Sequence, residues 1–186
     1  MPLDISKITS FMPLVRSDSR ILILGSMPSV ESLNQQQYYA HPQNAFWRLI
    51  PALWGDADLT DYDSRVQYLL NHHLALWDVL QDCQRKGSAD SAIRDAVANN
   101  FRTFFAQWPQ ICLVAFNGQA AARLFNQLVL KPAGYRTIAD FRTGLQAIQL
   151  GSTSPAHAVP FAERLQDWLQ IKTAVESSTA ADQFSV

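Results

Sequence analysis

Three short apolar runs constrain this chain more than any other feature. They are Ile21-Leu22-Ile23-Leu24, Ile111 to Phe116 and Leu145 to Leu150, and each halts at a polar loop that begins with Gly25, Asn117 or Gly151-Ser152. The first two runs are solid rather than alternating, the pattern of a strand covered on both faces. Apolar residues at helical spacing follow each run. Phe46, Leu49, Ile50 and Leu53 mark a helix over Ala45 to Leu53, Ala and Leu fill Ala120 to Leu130, and Leu165, Trp168 and Leu169 share a face of Phe161 to Ile171. Strand, Gly- or Pro-containing turn, then helix is the repeated unit of an α/β chain with a mostly parallel sheet. Loops that leave the carboxyl ends of parallel strands converge in space although far apart in sequence. The meeting point of the three loops is therefore the expected binding site.

The remaining segments fill in around that frame. Ile5 to Val15 reads as an amphipathic lead-in, and Asp61 to Leu70 as a helix with Val66, Leu69 and Leu70 inward. Leu74 to Leu80 fits either a strand or the approach to a helix. Ser91 to Trp108 is expected to be a helix with Ile93, Val97, Phe101, Phe104 and Phe105 as its apolar stripe, and Tyr135 to Ile138 a strand. Residues 1–173 are expected to form a single domain, and the small, polar stretch 174–186 a flexible tail.

Composition excludes several classes of function. With 186 residues the chain is long enough for one well-buried core, and 48% hydrophobic with 17% charged residues is ordinary for a globular protein. A formal net charge of -1 argues against nonspecific coating of nucleic acid, though not against an enzyme that grips a few phosphates through a local patch. Cys83, expected in a helix, and Cys112, in an apolar strand, suit a reducing compartment, and neither has metal-ligand spacing. Without an apolar run of membrane-spanning length or a leader pattern, a cytoplasmic protein is expected.

The first loop carries the most chemistry. Gly25-Ser26-Met27-Pro28-Ser29 leads to Tyr38-Tyr39-Ala40-His41-Pro42-Gln43-Asn44-Ala45-Phe46-Trp47, a mixture of aromatics, amides and one imidazole suited to a flat polar ring such as a nucleobase. It has neither the glycine pattern nor the lysine of a nucleotide-phosphate loop. Asn44 precedes a helix and would cap it; the cap itself would fix an amide to orient a water or a base edge. Asn117 stands at a strand mouth beside Gly118, and its amide offers the donor and acceptor needed to read a base, although Asn-Gly is also an ordinary turn pair. Trp47 reads as core, whereas Phe46 or a tyrosine would stack on an extruded base.

In the third loop Ser152, Thr153 and Ser154 offer hydroxyls to phosphate. Ser154 before Pro155, with His157 near, lacks the strained elbow of a serine hydrolase. His41, His72, His73 and His157 form no zinc-type spacing, so neither a metal nor an organic cofactor is expected. Arg142 would be a phosphate contact or a solvated surface arginine, while Val159-Pro160 and Phe161 would fill a vacated base stack or simply start the last helix.

These blocks, in this order, resemble the uracil-DNA glycosylase superfamily, and within it the hypoxanthine-DNA (deoxyinosine) glycosylase branch. The resemblance rests on Gly25 to Ser29, Tyr38 to Trp47, Phe116-Asn117-Gly118 and Ser152 to Ala158, and so spans nearly the whole domain. It implies a three-layer α/β/α sandwich and cofactor-free excision of a flipped, damaged base from DNA. A monomer is the expected state of a protein that approaches DNA from one face. Asn44 resembles the branch's catalytic asparagine, and Asn117 the base-reading one. Ser26, Met27, Tyr39 and Phe46 fall in the base pocket, while Ser152, Ser154, Pro155 and His157 fall in the loop that pinches the backbone and wedges the helix.

Two positions depart from the uracil-excising members. Met27 stands where those enzymes carry an aspartate and the mismatch-specific enzymes an asparagine, and Ser152 stands where they open the last motif with a histidine. With no strong base marked, the expected mechanism is preorganised electrostatics from Asn44 and the backbone amides of Ser26 to Ser29. A uracil or thymine mismatch glycosylase and a noncatalytic nucleic-acid-binding module remain the alternatives.

Overall fold

A computed structural model describes residues 7–183. The short strand β1 (Lys7–Thr9) comes first, and β2 (Ile21–Gly25) is fully buried along its length. Ser29 caps α1 (Val30–Gln35) by accepting from the Ser32 amide. After α2 (Phe46–Ala52), Asp61 caps α3 (Tyr62–Asn71) in the same way through Ser64, which starts that helix where its apolar spacing begins. Next come β3 (Leu74–Asp78), β4 (Leu80–Gln84), a 3-10 turn at Asp90–Ala92 and β5 (Arg94–Ala98). The second half of the chain runs α4 (Phe101–Gln107), β6 (Leu113–Asn117), α5 (Gln119–Phe125), α6 (Ile138–Phe141), β7 (Gln146–Leu150) and α7 (Phe161–Gln183).

The central sheet has the order β3-β2-β6-β7, and every neighbour is parallel. Strand geometry sends alternate side chains to opposite faces. Leu22 and Leu24 therefore join Trp77, Val114 and Phe116 in one core, closed by Phe101, Phe104 and Phe105 of α4 and by Phe125 of α5. Ile21 and Ile23 join Leu74, Leu76 and Leu113 in the other, closed by Phe46 and Ile50 of α2, Leu69 of α3 and Trp168 of α7. Two cores on one sheet make the three layers. A separate antiparallel sheet, β1-β4-β5, flanks them.

One open segment is decided by the structure, and four others differ from the expectation. Leu74 to Leu80, open between strand and helix, is the edge strand β3 and the start of β4. Cys83 lies in β4, not in a helix, and is buried. The single helix expected over Ser91 to Trp108 is a 3-10 turn, a strand and a short helix. Arg94–Ala98 can pair with β4, and Asn100 then caps α4 through the Thr103 amide, so ladder and cap together outweigh the helical stripe. Tyr135 to Ile138 is no strand, because Thr137 and Asp140 form a capping box that starts α6 at Ile138. Helix α7 runs on through residues expected to fray, and Val175 is buried on it. Ile5 and Ser6 of the lead-in, and the end of the tail beyond residue 183, lie outside the described residues.

Candidate active site

Parallel register sets the site. Gly25 pairs with Asp78 across β2 and β3, and Asn117 with Leu150 across β6 and β7, so four strand ends share one edge of the sheet. The loops leaving them enclose a cavity of about 440 Å3. Gly25 to Ser29 forms one wall, Tyr38, Tyr39, His41 and Asn44 another, and Asn117 with Ser152 to Ala156 the third.

Asn44 lines this cavity but is not the helix cap expected of it: the N-cap of α2 is Ala45, and Asn44, one residue earlier, accepts the Phe46 N–H on its Oδ1 at 3.0 Å. Among the described residues, its Nδ2 has no acceptor, which leaves the amide rigid with its donors available. The next residue ties the first loop to the third, for the Ala45 N–H donates to the Thr153 carbonyl at 3.0 Å.

Asn117 is more fully engaged. Its Nδ2 donates to Thr153 Oγ1 at 2.8 Å, while its Oδ1 accepts from the Thr153 N–H at 2.9 Å, and both residues are buried. Each amide atom keeps one further hydrogen-bonding capacity, so contact with a base would be made by a side chain already locked in place. Gly118 makes the closeness possible. Its φ is 96°, and a Cβ there would meet Ser152 Cβ at 2.9 Å.

The aromatics divide by depth. Trp47 and Phe46 are core, and Phe46 is wholly buried, with its ring covered by Tyr39 at 4.1 Å between centroids and 21° between planes. It lies behind the wall, whereas Tyr39 lines the cavity. The Tyr39 backbone is left-handed, with φ 51°, and among the described residues its buried hydroxyl makes no hydrogen bond of good geometry, although the Asn117 amide lies near it. Burial and the nearby Asp78 hold that phenol well above its ordinary range. Met27 is buried in the core that contains Leu24 and also borders the cavity.

The third loop is tied down from beneath. Arg164 donates from Nε to the Ser152 carbonyl at 3.1 Å and from Nη2 to the His157 carbonyl at 2.6 Å. Trp168 Nε1 donates to the Gly151 carbonyl at 2.8 Å. Ser152, Ser154 and Pro155 reach the cavity, whereas His157 is exposed on the outer side, near Gly151. Arg142 is placed elsewhere. It donates to the Pro109 carbonyl at 2.8 Å, ahead of β6 and β7, and thus at the opposite edge of the sheet. A phosphate contact at this site is not available to it; the guanidinium that holds the third loop is that of Arg164.

The family model described as "Uracil DNA glycosylase superfamily" matches residues 12–174. The chain belongs to that superfamily. It is 36% identical over 128 residues to a hypoxanthine DNA glycosylase of Methanosarcina barkeri, a match covering 68% of this chain and 80% of that protein. The hypoxanthine DNA glycosylase of Methanosarcina acetivorans is 38% identical over 129 residues, with the same coverage of both chains. The solution NMR structure of a candidate uracil DNA glycosylase from Methanosarcina acetivorans superposes with a TM-score of 0.73 at 31% identity, covering 92% of this chain and 99% of that one.

For a uracil-DNA glycosylase superfamily member, the most consequential residues missed by the sequence reading lie between β3 and β5. Asp78 ends β3 at the cavity floor, almost wholly buried, and its Oδ2 accepts from Ser10 Oγ at 2.8 Å. Burial pushes its pKa up to about 7, against the lowering pull of the Ser10 hydroxyl and the Arg85 charge. Asp90 accepts from Ser26 Oγ at 2.5 Å, Ser88 Oγ accepts the Val30 N–H at 2.9 Å, and buried Arg85 donates to the Pro28 carbonyl. The segment Arg85 to Asp90 therefore braces the first loop, and its Ser88, Ala89 and Asp90 also line the cavity. One signal was available: Asp78 is an acid inside the apolar run Leu74 to Leu80, and buried acids need a reason.

Proposed function

We propose that this chain is a monofunctional DNA glycosylase that hydrolyses the bond between deoxyribose and a deaminated base, hypoxanthine foremost, and leaves an abasic site. The observation that carries the reading is the cavity at the shared strand edge. It is walled by the Tyr39 ring and by two amides held rigid, Asn44 by its helix start and Asn117 by Thr153. Both similar Methanosarcina proteins are named for hypoxanthine.

The roles follow from what each group has left to offer. Tyr39 presents a ring on which an extruded base stacks, in the position that Phe46, buried behind it, cannot take. Asn44 supplies Nδ2 donors to the attacking water or to charge growing on the departing base. Asn117 contacts the base edge through its remaining capacity. Met27 offers neither a base nor a polarising group, so a mechanism resting on a carboxylate at that position is closed to this chain. Ser152, Ser154 and Pro155 form the rim towards the phosphates, with His157 outside it.

Single-turnover excision on duplexes carrying deoxyinosine or deoxyuridine, read by heat-alkali cleavage, tests the reading. Deoxyinosine should be cut, and faster than deoxyuridine. Dominant uracil cleavage would favour the mismatch enzymes, and no cleavage at all the binding module.

A further inference from the structure

We propose that Asp78 is the acid of this site: its carboxylic proton passes to a ring nitrogen of the departing purine as the sugar–base bond breaks. The proposal rests on the glycosylase reading above and adds a group to it. Four observations carry it. Asp78 ends a central-sheet strand at the cavity floor, in register with Gly25, where the loops converge. Among the described residues it forms no ion pair, and the Ser10 hydroxyl, a neutral donor, bonds its Oδ2. Its other oxygen, Oδ1, lies only 2.6 Å from where a Cβ on Gly25 would sit, so the missing side chain at that position leaves room for it. The Tyr39 hydroxyl lies 2.8 Å from the same point, buried and with no hydrogen-bond partner among the described residues, so two polar groups flank one glycine.

The chemistry is complementary to the lesion. A purine leaves with its electron pair, and a proton delivered to its ring lets it leave neutral. In the balanced step the acid's O–H bond breaks as the ring N–H bond forms, and the pair of the sugar–base bond goes to the ring. A water oxygen then bonds to the sugar carbon, and the proton it sheds returns to the Asp78 carboxylate. One water is consumed, and the acid is restored. Burial keeps the proton on Asp78 up to about pH 7. The polar and charged groups facing it are Ser10 from the amino-terminal segment, Tyr38 and Tyr39 from the first loop, Arg85 beyond β4 and Asp90 in the 3-10 turn. Ser10 and Arg85 favour the carboxylate, and Asp90 opposes it.

The test is the pH profile of single-turnover deoxyinosine excision for three proteins. The unaltered chain should be fastest at low pH and slow as pH rises through about 7, where the proton is lost. Asp78→Asn should be at least about 100-fold slower, the usual scale of acid–base catalysis, and its rate should lose that slope while duplex affinity stays. Ser10→Ala removes a donor that favours the carboxylate, so its declining limb should move to higher pH. A purely structural Asp78 would not produce that movement, which also guards against misfolding of the asparagine variant. An Asp78→Asn rate close to the unaltered one, or an unmoved limb in Ser10→Ala, would overturn the role of Asp78 and leave the glycosylase reading standing. No excision by the unaltered chain at any pH would overturn both.

Discussion

The two sides of the cavity are built on opposite principles. The inner wall, Gly25 to Ser29 with Asp78, is largely buried and held by side chains from distant segments: Asp90 on Ser26, Arg85 on Pro28 and Ser10 on Asp78. The outer rim, Ser152 to His157, is tied at its base by Arg164 and Trp168, and its tip from Pro155 onward is exposed. A buried polar wall is strong where satisfied and costly where disturbed, whereas an exposed tip tolerates change. Chemistry at bond-making distances needs the first kind of surface, and contact with a long, variable polymer is served by the second. Substitutions on the two sides should therefore fail in different ways: loss of rate within, loss of binding without.

The largest effect is expected from Asn44→Ala. It removes the amide that faces the cavity, and single-turnover excision should fall about 100-fold or more with duplex affinity nearly unchanged. Retention of most of the rate would reduce Asn44 to an acceptor for the first amide of α2. Gly25→Ala comes next. Its Cβ would fall 2.6 Å from Asp78 Oδ1 and 2.8 Å from the Tyr39 hydroxyl, so both must shift. Thermal denaturation should register about 1–3 kcal/mol of overpacking, accompanied by a loss of rate larger than any change in affinity. Asn117→Ala tests the seam between the two sides. It leaves the buried Thr153 N–H without an acceptor at roughly 1–3 kcal/mol, and both melting temperature and duplex affinity should drop. Pro155→Ala should be smallest: stability within about 0.5 kcal/mol, the bound rate preserved, and duplex affinity reduced several-fold in a titration. A rim variant that lost rate but not affinity would erase the distinction.

How far the molecule could be read from its sequence follows the same division. The solid runs Ile21 to Leu24 and Ile111 to Phe116 announced the sheet, because burial on both faces leaves no other pattern. Asn44, Tyr39 and the Ser152 loop were visible because polar and aromatic residues crowd where strands end. Phe46 was misjudged as a stacking candidate: position in sequence does not tell which of two neighbouring rings lies behind the other. The helix expected over Ser91 to Trp108 failed because pairing with β4 is nonlocal, and the bracing by Arg85, Ser88 and Asp90 was lost with it. Asp78 was hidden for a related reason. Its run fitted strand or helix equally, and only the strand puts it in register with Gly25 at the site.

The most direct measurement is single-turnover excision by the unaltered protein on matched duplexes that differ only in one base, deoxyinosine against deoxyuridine. The account predicts an abasic site at deoxyinosine, formed faster than at deoxyuridine. Uracil removed as fast or faster, or neither base removed, would contradict it.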